Sequence, residues 1–339
     1  MPKPSVPWPT ATPAEAGLDA RVLNEDLVEQ LGANKTLAAA LVVDGKLVWE
    51  RYWSGTTPTS RYYAFSIAKA FTLAGVGLLA DDRKLQIDAP ACTWLPEWAG
   101  DERRAITLRH LMTMTSGLKL DYDRFVNSPD ATAAALAWPL EAPPGARYCY
   151  EQATAHVLSP IVQRITGLSL LEFLQQRVLG PIGAHEIGWA TTPKGDCLGY
   201  TGILTSARDL CRFGQFLLQR GQWNGRQLIS AEFLAQALRH DPLTAAAAAD
   251  PRDAKHMKPG YGWLLFVNQN RIWAGVPPEN FAPLGAYGNM CLIDPARKMV
   301  FVRLVTPEGL SDYKPFSNPL EAGATGPALC FRTLFKAFR

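Results

Sequence analysis

Phe65-Ser66-Ile67-Ala68-Lys69-Ala70-Phe71, continuing as Thr72-Leu73-Ala74-Gly75-Val76-Gly77-Leu78-Leu79-Ala80, sets a serine and a lysine three residues apart at the head of a long apolar run. The run predicts a helix over 66–80. Residues three apart share a helix face, so the Lys69 amine can reach back to the Ser66 hydroxyl. The head of a helix carries partial positive charge and free N–H groups, which stabilise a forming oxyanion. Burial beneath so apolar a helix favours the neutral amine. The same spacing recurs at Ser116/Lys119 and Ser311/Lys314, so spacing alone decides little. Context separates the three. Gly117 stops the helix that Ser116 ends, and Ser311 lies among Gly, Asp, Pro and Asn in a surface loop. The plainer alternative for Ser66 is a helix-capping serine with an ordinary lysine behind it.

Upstream, Leu37–Val43 and Lys46–Trp53 are two β-type runs joined by Asp44-Gly45, the strongest short-range hairpin signal. Residues 1–20, rich in Pro, Ala and Thr, read as an extended arm, and 19–31 as a helix. Downstream, helices are expected at 106–114, 152–166, 206–219, 230–239 and 331–338. No good strand stands out between 86 and 190. The C-terminal third supplies strands at 261–267, 271–274, 288–293 and 299–305, with Asp294-Pro295-Ala296-Arg297 turning between the last two. Ala245–Ala249 is a low-complexity run, a loop or frayed helix. Strands from both chain ends with helices between them predict an α/β (α+β) fold with an antiparallel sheet flanked by helices. Residues 1–85 and 200–339 form the sheet domain and 86–199 a mostly helical inserted domain, with the active site between them.

Five collinear segments carry a family resemblance. Phe65–Phe71 resembles the nucleophile box of class C β-lactamases, D-Ala-D-Ala peptidases, family VIII carboxylesterases and aminohexanoate-oligomer hydrolases. Leu85-Gln-Ile-Asp-Ala-Pro90 with Leu95-Pro96, Ile106–Leu118, Pro144-Gly-Ala-Arg-Tyr-Cys-Tyr150 and Thr201–Leu210 follow in the family's order. The resemblance spans roughly residues 12–338 and implies the β-lactamase/transpeptidase-like fold and an acyl-enzyme on Ser66. It makes Tyr150 the catalytic tyrosine alongside Lys69, although Tyr148 is as good a candidate on sequence alone. A free phenol has a pKa of about 10, so Tyr150 needs a nearby cation to act as a base, and Lys69 would supply it.

The chain departs from the family in two places. Where relatives carry Lys-Thr/Ser-Gly, this sequence has Pro283-Leu284-Gly285 followed by Ala286-Tyr287, lacking both the cation and the hydroxyl. A carboxylate-bearing β-lactam should bind poorly there, which favours an esterase or amide hydrolase. Gly285 still permits close backbone approach, and the amides of Ser66 and Ala286 are the candidate oxyanion hole. Glu151-Gln152 replaces the usual Ser/Ala-Asn after the tyrosine; Gln152 could donate the same amide hydrogen bond to substrate. Tyr122, Asp123, Gly285 and Tyr287 are further candidate substrate contacts, and Trp189, Trp273 and Phe281 candidates for an apolar pocket, with core packing the alternative.

Other functions are disfavoured. The formal net charge is +3 and basic residues form no run, so nucleic-acid binding lacks a footprint. Gly75-Val-Gly77 lies inside a helix instead of after a strand, so it is a packing feature and not a dinucleotide fingerprint. His185-Glu186 lacks the second histidine of a zinc motif, and no GxSxG is present. His110, His156 and Cys149 read as structural. Six dispersed cysteines and an N-terminus without an apolar signal core point to a cytoplasmic protein with reduced thiols and no membrane partner. No cofactor or metal is expected, and the partner is a small ester or amide. β-Lactamase, D-Ala-D-Ala peptidase, acyltransferase and non-catalytic binding protein are the rival functions. Oligomeric state is not legible.

Overall fold

A computed structural model describes residues 7–32, 35–253, 260–305 and 326–339; Ser311 and Lys314 lie outside the described residues. The chain passes through a π-helical turn (Val22–Leu27) and α1 (Val28–Gly32) into β1 (Thr36–Val43) and β2 (Lys46–Tyr52). Asp44 (φ 48°) and Gly45 (φ 76°) close that hairpin with two successive left-handed residues, the turn that matches the twist of paired strands. β3 (Tyr62–Tyr63) and a 3-10 turn (Phe65–Ile67) lead into α2 (Ala68–Asp81).

The middle of the chain is helical in short pieces: α3 (Leu108–Met112), α4 (Tyr122–Val126), α5 (Ala131–Leu136), α6 (Gln152–His156), α7 (Leu158–Thr166) and α8 (Leu170–Leu174). Two short strands that periodicity does not reveal interrupt it, β4 (Arg147–Tyr148) and β5 (Ile187–Trp189). β5 and β3 flank β6 (Ile203–Thr205) in a small sheet. Then come α9 (Ala207–Leu218), the hairpin β7 (Gln222–Trp223) and β8 (Arg226–Gln227), α10 (Ala231–Ala237) and α11 (Pro242–Ala246). Strands β9 (Ala248–Ala249), β10 (Phe266–Val267), β11 (Phe281–Ala282), β12 (Leu284–Gly285), β13 (Asn289–Asp294) and β14 (Met299–Val305) follow, and α12 (Pro327–Ala337) closes the chain.

The main sheet is antiparallel, in the order β10-β11-β13-β14-β1-β2, with β12 also paired to β13. Val302 sits opposite Ala40 on one side and Cys291 on the other, so strands from the two chain ends meet at its centre. β1 and β14 are almost wholly buried, which explains runs without alternation. α9 packs across β1, β13 and β14, while α12 packs on the π-helical turn and β13.

α2 is apolar all round because it is enclosed all round: every residue from Ala68 to Leu79 is buried. A Cβ on Gly75 would come within 2.4 Å of Leu170 Cδ1, and one on Gly77 within 2.6 Å of Phe233 Cε1. Those glycines serve helix packing. Two expected strands are corrected. Of 261–267 only Phe266–Val267 is strand, because Leu264 turns left-handed (φ 57°) and the Trp263 and Leu264 N–H groups donate to Ala237 and Met112 carbonyls, both at 3.0 Å. Residues 271–274 turn instead of extending; Arg271 has φ 55° and the Trp273 N–H donates to Asn268 Oδ1 at 2.8 Å. Among the described residues no single helix is long and apolar enough to cross a membrane.

Gly214 marks where α9 meets the sheet: a Cβ there would lie 2.6 Å from both Cys291 Sγ and Val300 Cγ1. Gly214→Ala should therefore cost about 1–3 kcal/mol by overpacking, read as a lowered denaturant midpoint with unchanged slope.

Candidate active site

The residue before Ser66 is strained. Phe65 sits at φ 52°, a left-handed conformation that costs a non-glycine residue roughly 1–3 kcal/mol. Ring packing holds it there, with Tyr63 at 4.5 Å edge-on and Tyr287, itself at φ 63°, at 5.0 Å. The 3-10 turn then presents Ser66 at the entrance to α2, and Lys69 follows one turn on.

Lys69 is completely buried and its Nζ has three oxygen neighbours: Ser66 Oγ at 3.1 Å, Gln152 Oε1 at 2.9 Å and the Tyr200 carbonyl at 2.9 Å. Burial pushes its pKa down to about 7, opposed by the charge of Glu151. In the neutral amine, two N–H bonds satisfy the Gln152 and Tyr200 oxygens, and the lone pair is left for the Ser66 hydroxyl. The lysine is thus aimed as a proton acceptor.

Tyr150 completes the cluster. Its phenol is hydrogen-bonded to Ser66, and Lys69 Nζ lies 4.7 Å from its ring centroid. Tyr148 points elsewhere: it is buried against Tyr261, and its hydroxyl has no hydrogen-bond partner among the described residues. Burial raises the Tyr150 pKa well above the ordinary phenol value; the Ser66 hydrogen bond opposes this and Asp253 adds to it. The same burial that lowers the Lys69 pKa disfavours the cation on which a phenolate would depend. Burial therefore favours the protonated phenol, a form able to donate a proton, whereas the sequence reading casts Tyr150 as a base.

β12 brings its backbone against the serine turn. A Cβ on Gly285 would lie 2.3 Å from the Ala64 carbonyl oxygen, so glycine is required by close approach; its φ of −121° is ordinary. Ala286 opens the short turn that carries Tyr287, and its carbonyl accepts from Asn289 Nδ2 at 2.7 Å. Leu284, which stands where the family carries the Thr/Ser hydroxyl, is buried, and Pro283 stands where the family carries its lysine. Tyr122, 38% exposed, faces the same mouth with Tyr63, Tyr287, Tyr200 and Tyr150 as electrostatic neighbours, while Asp123 is exposed on the first turn of α4.

Other sequence candidates are structural. Trp189 is buried on Phe71 and its indole N–H donates to the Leu198 and Thr201 carbonyls; Trp273 packs on Phe331, and Phe281 lies buried in β11. They belong to the core and not to an apolar substrate pocket. His110 caps α3 through Thr107; His156 is enclosed by Thr132 and Gly199, and burial lowers its pKa to about 3. Cys149 is buried, which raises its thiol pKa. Ser116 bonds Thr154 at 2.7 Å while Lys119 pairs with Asp121 at 3.5 Å, so that spacing does not form a second site. Sequence reasoning missed the Tyr200 carbonyl, which as a backbone group has no residue signature.

The fold and this cluster place the chain in the β-lactamase family, whose sequence profile matches residues 24–324. It is 31% identical over 305 residues to protein Rv1367c of Mycobacterium tuberculosis, covering 71% of this chain and 76% of that one. It is also 24% identical over 321 residues to a 6-aminohexanoate-dimer hydrolase of Paenarthrobacter ureafaciens, covering 87% and 79%. The structure of EstCE1, described as a hydrolase with promiscuous acyltransferase activity, shares the fold with a TM-score of 0.69 at 16% identity, covering 93% and 99%.

Glu151, absent from the family pattern, is 1% exposed; Oε2 accepts the Thr154 N–H and caps α6, whereas Oε1 has no hydrogen-bond partner among the described residues. Burial raises its pKa from 4.5 to about 8, opposed by hydrogen bonds from the backbone and by Lys69. Between pH 4.5 and 7 the folded state holds a proton here that the unfolded state releases, so this group's contribution to stability falls as pH rises. Glu151→Gln should gain stability relative to the parent across that window, by at most about 1.4 kcal/mol per pH unit, measured by urea denaturation.

Proposed function

We propose that this protein is a serine hydrolase acylated at Ser66, a carboxylesterase-like enzyme acting on small neutral esters or linear amides. The observation that carries the proposal is the position of Lys69 Nζ, buried, flanked by two carbonyl acceptors and 3.1 Å from Ser66 Oγ. Lys69 accepts the Ser66 proton as Oγ bonds to the substrate carbonyl carbon. The Ser66 and Ala286 amides receive the oxyanion. As the tetrahedral intermediate collapses, Tyr150 donates its proton to the leaving alkoxide or amine and is reprotonated from Lys69, so the net transfer is from Ser66 to the leaving group. Water then enters by the reverse sequence and releases the acid.

The choice of neutral substrates rests on Pro283 and Leu284, which stand where relatives carry the cation and the hydroxyl. The guanidinium of Arg303 lies nearby, but it is buried, donating to the Gly288 carbonyl at 2.9 Å and to Thr36 Oγ1 at 2.8 Å. The aromatic mouth formed by Tyr63, Phe65, Tyr122 and Tyr287 suits apolar groups better than carboxylates. The name of the 6-aminohexanoate-dimer hydrolase supports linear amides, and EstCE1 supports hydrolase chemistry on this fold.

Turnover of 4-nitrophenyl butyrate and intact-mass detection of the acyl-enzyme test the proposal together. Ser66→Ala should abolish the adduct and lower kcat/KM more than about a thousandfold, and Tyr150→Phe about a hundredfold. Undiminished turnover in Ser66→Ala rejects the mechanism, and rapid opening of a chromogenic cephalosporin rejects the assignment to neutral substrates. Because only neutral Lys69 accepts the proton, kcat/KM should rise with pH through about 7, and a flat profile there excludes Lys69 as the base.

A further inference from the structure

We infer that Asp253 is a positioning residue for Tyr150: its carboxylate accepts the tyrosine's backbone N–H, and residues 248–253 form the strap that delivers it. The inference rests on the reading of Tyr150 as the proton donor to the leaving group. Tyr150 lies beyond the end of β4, where ladder pairing no longer supplies its N–H with an acceptor, and it is buried. Asp253 Oδ2 fills that need at 2.5 Å. Tyr261 packs edge-on to the ring at 5.7 Å and Phe266 stacks at 6.2 Å, so backbone and ring are each held while the hydroxyl meets Ser66.

The strap is built for alignment. β9 runs parallel to β4, with Ala248 N–H on the Ala146 carbonyl (2.9 Å) and Asp250 N–H on the Tyr148 carbonyl (3.0 Å). A four-charge cluster fastens it: Arg147 bridges Glu141 (2.7 Å) and Asp250 (3.1 Å), and Arg252 bridges the same two at 2.6 and 2.8 Å. A turn closed by Asp253 N–H on the Asp250 carbonyl (3.0 Å) then carries the carboxylate under Tyr150. Each link is short and directional, so displacing Asp253 displaces the backbone from which the phenol projects.

A double-mutant cycle on 4-nitrophenyl butyrate turnover tests this. Asp253→Ala should lower kcat about tenfold with KM changed less than about threefold, the effect of orphaning one buried N–H. Asp253→Asn, which keeps an oxygen acceptor, should restore most of that loss. In a Tyr150→Phe background Asp253→Ala should add little further loss, because Asp253 acts through the missing hydroxyl. Equal losses in both backgrounds, or Asp253→Asn as impaired as Asp253→Ala, would overturn the inference. If Asp253→Ala does not fold, Asp250→Asn, which loosens Arg147 and Arg252 while keeping Asp253, reads the same coupling. Loss in Tyr150→Phe without loss in the Asp253 variants refutes the strap alone; unimpaired Tyr150→Phe refutes the reading beneath it.

Discussion

The amine of Lys69, wedged between the Gln152 side-chain oxygen and the Tyr200 carbonyl, is the interaction on which the site depends. In water an ammonium would be the stable form and useless as a base. Inside this protein the dry surroundings of α2 disfavour the charge, and two acceptors fix the direction of the remaining lone pair. The apolar character of α2 therefore serves the proposed chemistry as well as the fold. Its twelve consecutive buried residues, Ala68 to Leu79, supply both the helix packing and the low-polarity setting.

Three chain segments far apart in sequence converge on that amine, and each arrives by a different device. Ser66 comes by strain, through a left-handed Phe65 clamped between two tyrosine rings. Gln152 comes on α6, whose first turn is capped by Glu151. The Tyr200 carbonyl comes from the loop ahead of β6, where the Gly199 carbonyl also accepts from Thr72 Oγ1 at 2.7 Å on α2. Such strain and desolvation persist only where the surroundings over-determine them.

What was legible in the sequence was local or alternating. Asp44-Gly45 announced its hairpin because only a few residues tolerate two left-handed positions, and the α2 run announced burial by lacking a polar face. The choice between Tyr148 and Tyr150 was not legible from periodicity, since residues two apart share a strand face. It is decided by the chain leaving β4 after Tyr148, where the Cys149 N–H donates to the Met114 carbonyl. The segment 261–274 misled because aromatic and β-branched residues signal burial, and burial there is met by helix ends and turns. Backbone acceptors such as Tyr200, and a strained Phe65, leave no composition trace at all.

Glu151 explains why this chain can depart from its family without losing the site's electrostatic balance. A Ser or Ala at that position would leave Lys69 with no nearby anion among those that influence it. The amine would then fall further below its ordinary value and the proton taken from Ser66 would be held less firmly. Only the ionised form of Glu151 opposes that fall, and its own burial disfavours that form, so the pair does not settle into a permanent ion pair. A full carboxylate would favour the Lys69 ammonium, which in the proposed mechanism cannot take the Ser66 proton. In the proposed mechanism, the depth of burial of both groups therefore sets how readily Ser66 gives up its proton.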